Sequence, residues 1–548
     1  MVEEALLRER DGNKLSCFIW PDIACASVPG NFEIMVWRQR LEIASVAVTI
    51  IAILSFYAAF IRPGMPWGDD WATYIQGALN LFHGNQYGAT GYIVNPDTDI
   101  GPSAYPPLYP LMLVVPIALW GVDFDAIRQF QLIGYAAFLL FAFFLVRRRL
   151  SFPLSLLVVA ATGLSPYFFS FKDFLASEVL YLALLFMTFV LAARFEDRAP
   201  DGKLPTKAGV WLGVMSGLCV ATRAVGLILV PTLAVYDLVR FHRIRLTTVI
   251  ASIIAVAAFV LQFTFAGFLK DYIFGLMGAF GVGPAVPANV SAENAHAAAA
   301  GGNAITFLGH RIAQFVSEFS RFWGHGANGD LVARIATVVF ILLAVFGYSR
   351  IRKRELMHSD VFALVYIAAL LVLPPALASA RMQMPLVPLF YAYVVMGVLA
   401  VRQAGGQRRW IGQTTIATTV VLGLTSYWHS YRNANFFTPL DGIEVTNYRD
   451  MFDYIQKNTD PKDAIIFDKP RTLALYTQRR TAAIYGTRKG DSLLAYMHAI
   501  GARYVLFYDD WQDGAPRETY VSDYFRNHIG DFEKLHDSGH YVLYRMKS

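Results

Sequence analysis

The sequence predicts a polytopic α-helical membrane protein, with about 11 transmembrane helices plus a re-entrant or interfacial segment, ending in a small C-terminal soluble α/β domain. Three observations carry this. Of 548 residues, 55% are hydrophobic and 16% charged, against about 25% charged in soluble domains. The apolar excess falls in runs of roughly 15–25 residues, the length that crosses a hydrocarbon core about 30 Å thick. From about residue 446 the composition turns soluble. Soluble enzyme folds are excluded for most of the chain.

The first segment, 1–41, carries Glu3, Glu4, Glu9 and Asp11 and no sustained apolar stretch. It reads as a cytoplasmic tail without a signal peptide. The apolar runs then follow at 42–61, 127–146, 152–168, 179–194, 208–222, 224–239, 246–268, 333–349, 359–379, 384–401 and 410–428, within a membrane domain over 42–429. A further apolar stretch, 106–122, contains Pro106, Pro107, Pro110 and Pro116, which argue against a straight spanning helix. Arg147–Arg149, Arg194, Arg198, Arg240, Arg243, Arg245, Arg350, Arg352, Arg402, Arg408 and Arg409 all fall on one side if 106–122 does not cross. By the positive-inside rule that side is cytoplasmic. The N-terminus is then inside and the C-terminal segment outside. The net charge of +6 reads as topology and anionic-lipid attraction rather than nucleic-acid binding. Three cysteines, Cys17, Cys25 and Cys219, are too few for a disulfide framework.

Two outer loops are long, 62–126 and 269–332. Within the second, Pro284 to Gly302 is rich in Ala, Asn and Gly and suits either a lid or a spacer. After it, 303–325 reads as an amphipathic helix with Phe307, Ile312, Phe315, Phe319 and Trp323 on one side. The outer domain, 446–548, shows strand patterns at 463–468, 504–508 and 540–545 and helical patterns at 448–457, 492–500 and 518–528. No phosphate loop, metal-ligand set or nucleophile motif stands out in it. His536 and His540 are four apart, but in a strand-like context, which disfavours a shared metal.

Ionisable groups at membrane depth are costly and mark function. Asp69, Asp70, Lys172, Asp173, Glu178, Arg223 and Arg381 all fall on the outer face, near the ends of apolar runs. Together they predict one polar site there. In Gly68-Asp69-Asp70-Trp71-Ala72-Thr73-Tyr74, one aspartate suffices to cap the helix that follows; the second is free for general base work or for a divalent cation, Mg or Mn. No complete ligand set accompanies the pair. Glu178 opens the run Val179-Leu180-Tyr181, where a carboxylate also suits the helix dipole. The short pair 208–239 places its apex, Thr222-Arg223, below the membrane surface, so Arg223 is expected to face a cavity rather than snorkel.

These residues carry a resemblance. Asp70 four before Tyr74 soon after the first span, then Tyr105-Pro106-Pro107-Leu108-Tyr109-Pro110, Ser177-Glu178, Thr222-Arg223-Ala224-Val225-Gly226, Arg381 with Pro385 and Pro388, and Pro470-Arg471-Thr472-Leu473-Ala474-Leu475-Tyr476 resemble GT-C glycosyltransferases. The nearest likeness is to the family of protein O-mannosyltransferases and lipid A aminoarabinose transferases. The resemblance implies a bacterial inner-membrane enzyme. It implies a polyprenyl-phosphate-linked sugar as donor, a lipid, glycan or protein as acceptor, inversion at the sugar, and no nucleic acid. It implies Asp70 as catalytic base, with Asp69 and Glu178 as further acidic residues. Arg223 is implied at the lipid phosphate, with Arg381, Lys172, Tyr74 and Tyr105 as further substrate-binding residues. The sequence departs from the family where its Asp-Glu pair is Asp70-Trp71 and where a basic residue before the double proline is Tyr105. A transporter or flippase of lipid-linked sugars is the rival reading. Such proteins carry repeat symmetry and a midplane site, whereas this sequence shows no repeat and gathers its polar residues on one face.

Overall fold

The computed structural model describes residues 29–66, 69–94, 102–199, 202–266, 304–324, 331–352, 355–373, 379–404, 409–434, 436–440, 442–443, 448–483, 492–508 and 529–547. The chain divides into two compact units, Met1–Ala52 and Ile53–Ser548. In the first, the described residues form a helix that begins at Pro29 and runs on to Ala59 (α1).

The second unit is built from helices in chain order: α2 (Asp70–His83), α3 (Leu108–Trp120), α4 (Phe124–Val146), α5 (Phe152–Gly163), α6 (Pro166–Phe171), α7 (Glu178–Arg198), α8 (Thr206–Thr222), α9 (Leu229–Phe241), α10 (Leu246–Ala266), α11 (Ala304–Ser320), α12 (Leu331–Ser349), α13 (His358–Val372), α14 (Ala380–Gln383), α15 (Val387–Ala404) and α16 (Arg409–Arg432). Among the described residues, each apolar run read from the sequence is mainly helical, with a break at Leu164–Ser165 in the run 152–168. Among the described residues, Gln39–Ala59, Phe124–Val146, Glu178–Arg198, Ala224–Phe241 and Ala380–Gln403 are long and apolar enough to cross a membrane. Several others are apolar but shorter, including Phe152–Gly163 and His358–Val372. Helices α12 and α15 cross closely because Gly347 and Gly397 face each other's backbones. A Cβ on Gly397 would lie 2.0 Å from the Leu343 carbonyl oxygen. Small residues at a crossing are how apolar helices gain contact where burial from water gives no drive.

The segment 106–122 forms a regular helix, α3, despite its prolines. Pro106 and Pro107 precede it, and Pro110 sits in the first turn, where a missing N–H costs nothing. Only Pro116 lies inside. At 13 residues it is about 20 Å long, short of a hydrocarbon core. The amphipathic helix expected over 303–325 ends earlier, at Ser320. Phe319 and Trp323 are buried, and Phe307 and Ile312 are exposed. The stretch Pro284–Gly302 and the helix expected over 518–528 lie outside the described residues.

Residues 448–546 carry α17 (Tyr448–Asn458), β2 (Ala464–Ile466), α18 (Pro470–Thr477), β3 (Arg480–Ala482), α19 (Ser492–Ile500), β4 (Ala502–Tyr508), β5 (Phe532–Asp537) and β6 (Tyr541–Met546). The sheet has one strand from elsewhere: β1 (Tyr92–Ile93), between α2 and α3. The order is β1-β3-β2-β4-β6-β5. The first four are parallel, and β6 and β5 are antiparallel. Tyr92 pairs with Thr481 and Ile93 with Ala482. The helices α17 and α18 cover one face through Met451, Phe452, Ile455 and Leu473. Helix α19 covers the other through Met497. His536 sits in β5 and bonds Asp450 at 2.9 Å. His540 lies in the turn before β6.

Candidate functional site

The site begins with α2, which stands on an apolar cluster. Trp71, Tyr74, Ile75 and Ala78 recur at helical spacing and are buried against Tyr109, Leu113 and Ile117 of α3. Gly84 ends α2 in the left-handed conformation, φ 71°, which costs glycine nothing. Burying that face fixes Asp70, its first residue, at the edge of the cluster.

Asp69 does not cap α2: its side chain makes no bond to that helix. It caps another. Its Oδ1 accepts from the Thr472 amide at 2.8 Å and from Thr472 Oγ1 at 2.7 Å, and its Oδ2 accepts from the Arg471 amide at 3.1 Å. These amides are free first-turn donors of α18. Burial holds the Asp69 carboxyl above the usual carboxylate range; the Arg471 charge and the Thr472 and Arg471 hydrogen bonds offset this only in part.

Asp70 faces the other way. Its Oδ1 accepts from Tyr105 Oη at 2.6 Å and from Arg471 Nη1 at 3.1 Å. Its Oδ2 accepts from Arg381 Nη2 at 2.9 Å. Burial alone would raise this carboxyl, but the Arg381 and Arg471 charges and the Tyr105 and Arg381 hydrogen bonds outweigh it and lower it to about 2. The Tyr105 hydroxyl is pushed well above its ordinary value, first by burial and then, against the Arg471 charge, by the Asp70 carboxylate. It therefore stays a donor.

Arg381 bridges to the second acid. Its Nε lies 3.1 Å from Glu178 Oε1, and Arg223 Nη1 lies 2.6 Å from the same oxygen. Neither approach is aligned as a hydrogen bond. Glu178 is the first residue of α7, where a carboxylate suits the helix N-terminus. Arg223 occupies the apex between α8 and α9 in extended backbone, φ −150° and ψ 132°. Its Nη1 also donates to Ser177 Oγ at 3.1 Å, and that hydroxyl meets Tyr74 Oη at 3.1 Å. The apex needs Gly226, because a Cβ there would lie 2.6 Å from the Cys219 carbonyl carbon.

Asp70, Glu178, Arg223, Arg381, Tyr74 and Tyr105 are thus joined in one network, and Asp69 adjoins it. Exposure is graded across it. The side chains of Arg381 and Asp70 are 40% and 28% exposed, those of Glu178 and Arg471 4% and 2%. A ligand arriving from the open side meets Arg381 and Asp70 first. Lys172 is not brought in. Its ammonium bonds Asp173 at 3.1 Å and lies 3.9 Å over the Phe169 ring. Asp173 also accepts from Arg62, and Arg128 donates to the Asp173, Arg62 and Gly64 carbonyls. This buried cluster fastens the chain just after α1.

Sequence reasoning did not assign Arg471 to the site. One signal was available: an arginine in the first turn of a helix opposes the helix dipole and calls for an outside carboxylate. The donor set does not fit a divalent cation. Both aspartates face guanidinium, amide and hydroxyl donors, and among the described residues no group of three or more His, Cys, Asp or Glu converges.

No protein-family profile matches the sequence, and no curated protein is similar to it. Solved structures are similar. The archaeal oligosaccharyltransferase AglB from Archaeoglobus fulgidus, in complex with an inhibitory peptide and a dolichol-phosphate, has a TM-score of 0.53 at 11% identity, covering 87% of this chain and 70% of that one. The Archaeoglobus fulgidus oligosaccharyltransferase complex with Zn and sulfate has a TM-score of 0.52 at 11% identity, covering 84% and 68%. ArnT from Cupriavidus metallidurans bound to undecaprenyl phosphate covers 92% of this chain and 97% of that one at 12% identity, with a TM-score of 0.49. The oligosaccharyltransferase likeness is one of fold: the chain shares the fold of that membrane protein.

Proposed function

We propose that this chain is an integral-membrane glycosyltransferase. It moves a sugar from a polyprenyl-phosphate donor to a cell-envelope acceptor, on the outer, periplasmic side of a bacterial inner membrane. One observation carries the reading: two carboxylates and two arginines, Asp70, Glu178, Arg223 and Arg381, meet in a half-open network at the ends of α2, α7 and α8. The fold supports it, as does the lipid phosphate bound by the oligosaccharyltransferase that shares it. In this reading the N-terminus is cytoplasmic and the α/β domain outside.

The donor brings its own leaving group. The acceptor hydroxyl oxygen forms a bond to the anomeric carbon from the face opposite the phosphate. The bond from that carbon to the phosphate oxygen breaks, and its electron pair leaves on the polyprenyl phosphate. The hydroxyl proton passes to Asp70. The anomeric centre inverts. Arg223 and Arg381 stabilise the departing phosphate, since a guanidinium stays charged in a low-dielectric site. In the free protein Asp70, lowered to about 2, is a weak base. When the phosphate draws Arg381 toward itself, Asp70 loses one of its two cations and its basicity rises. Glu178 holds both arginines in place. Tyr74 and Tyr105 line the acceptor side. No step is assigned to a divalent cation.

The test uses purified protein in nanodiscs with a panel of polyprenyl-phosphate sugars and envelope lipid extract, followed by mass spectrometry. Wild type should consume one donor, and Asp70→Asn should lower turnover about 10²–10⁴-fold. If wild type consumes no donor, the transferase reading fails and transport of lipid-linked sugars becomes the better account.

A further inference from the structure

Arg471 belongs to the soluble domain but sits in the membrane site. It is 401 residues from Asp70 in the chain, and its side chain is 2% exposed. Its Nη1 donates to Asp70 Oδ1 and to Tyr105 Oη, each at 3.1 Å, and its Nη2 to the Pro102 carbonyl at 2.6 Å. The guanidinium lies between two rings, 5.1 Å from Tyr92 and 5.2 Å from Tyr105. Its backbone is fixed independently. Asp69 caps α18 through the Arg471 and Thr472 amides. Strand β1 joins the sheet beside β3, and the Thr481 amide donates to the Gly91 carbonyl at 2.9 Å. The segment carrying Asp69 and β1 is thus held to the domain at two points, one at this arginine's own backbone and one at β3.

We propose that the outer α/β domain completes the site by delivering Arg471 as a positioning residue, which orients the Asp70 carboxylate and sets its charge state through direct contact and through Tyr105. The proposal rests on the transferase reading for its catalytic meaning, but not for the coupling itself. Two consecutive aspartates divide the work. Asp69 docks the domain, and Asp70 receives the side chain that docking brings. Arg381 reaches only Oδ2. Arg471 and Tyr105 hold Oδ1, so Oδ2 alone exchanges partners when a ligand arrives. The charged and titratable groups facing Asp70 are Arg381 from α14, Arg471 from α18 and Tyr105 from the loop before α3. Tyr74 on its own helix, neighbouring Asp69, and Glu178 with Arg223 behind Arg381 complete the set.

The experiment compares full-length wild type, Arg471→Met, Arg471→Lys and Thr472→Val in nanodiscs. Thr472→Val removes one docking bond to Asp69 and leaves the Arg471 charge in place. Two readouts are taken. The first is carbodiimide labelling, which requires a protonated carboxyl, read at Asp70 by peptide mass mapping at pH 4.5 with exposed Asp123 as internal standard. Asp70 labelling should rise several-fold in Arg471→Met and stay near wild type in Arg471→Lys and Thr472→Val. The second is the pH profile of donor turnover. Losing one adjacent cation should move its acid limb up by roughly 1–3 pH units in Arg471→Met alone. Unchanged Asp70 labelling in Arg471→Met, or an equal rise in Thr472→Val, overturns the proposal and leaves Arg471 a docking contact. If labelling behaves as expected but wild type turns over no donor, the coupling stands and the transferase reading fails.

Discussion

Arg381 shows at the scale of one residue why guanidinium chemistry is required. It uses Nε toward Glu178 and Nη2 toward Asp70, 3.1 and 2.9 Å away. A lysine ammonium is a point charge and cannot hold two carboxylates in that fork geometry. Arg381→Lys should therefore lower kcat/KM for the donor by roughly 10–100-fold, chiefly through KM, as lost phosphate binding would. The side chain is 40% exposed, so solvent screening limits the stability cost to within about 1 kcal/mol. Steady-state kinetics over a donor series, with a thermal melt alongside, separate the two effects. A melt that collapses while KM is unchanged would make Arg381 a structural pin. Asp70, Glu178, Arg223 and Arg381 were legible in the sequence because a charge beside an apolar run has few structural uses. Lys172 looked identical by that criterion, yet its charge is answered by the next residue, Asp173. Adjacent opposite charges in a sequence point equally to a pair or to two ligands, and only geometry separates them.

At the scale of elements, the apex between α8 and α9 sets where Arg223 stands. Each flanking apolar run is short, and the sequence places Arg223 between them. The structure adds how the turn is made: the Arg223 amide donates to the Cys219 carbonyl at 2.9 Å, and the Gly226 amide to the Arg223 carbonyl at 2.8 Å. The chain doubles back onto α8 with no room for a side chain at 226. In Gly226→Ala the new Cβ would lie 2.6–2.8 Å from Cys219 and Val220 backbone atoms, which cannot rotate away. Overpacking of this kind costs about 1–3 kcal/mol. The variant should melt at lower temperature and lose donor affinity, because Arg223 moves with the turn. An unshifted melt would mean that the turn relaxes at little cost. The helices were legible because apolar runs must satisfy their backbone groups internally. Strand β1 was not. Two residues long, it is defined by a partner strand near the other end of the chain, and no local pattern records such a pairing.

Among the described residues, the scale of the whole molecule shows in α7, whose two ends each carry an ion-pair network, and the two networks differ in kind. Glu178 and Glu196 lie near opposite ends of α7, about 27 Å apart at 1.5 Å per residue. Around Glu178 the network is half open. Around Glu196 it is closed: Arg245 bonds Glu196 and Asp237, each at 2.7 Å. Beside it, Arg149 Nη1 reaches Asp360 Oδ1 at 2.6 Å, and Arg149 Nη2 bonds Asp360 Oδ2. Asp360 also accepts from Tyr393 Oη and from the Met357 amide, each at 2.7 Å. One of the arginines from which the sequence reading drew its topology, Arg149, thus also fastens α4, α13 and α15 together. Asp360 is fully buried, so removing its cation leaves a buried charge unpaired, at a cost of about 3–5 kcal/mol. Arg149→Met should lower the melting temperature markedly while the folded fraction keeps its donor KM, since the open network at the far end of α7 is untouched. Adding Asp360→Asn should recover much of the loss, because the neutral amide no longer needs the guanidinium. A double variant as unstable as Arg149→Met alone would show that the arginine acts by packing rather than charge. A changed donor KM in the folded single variant would show that the two ends communicate through α7.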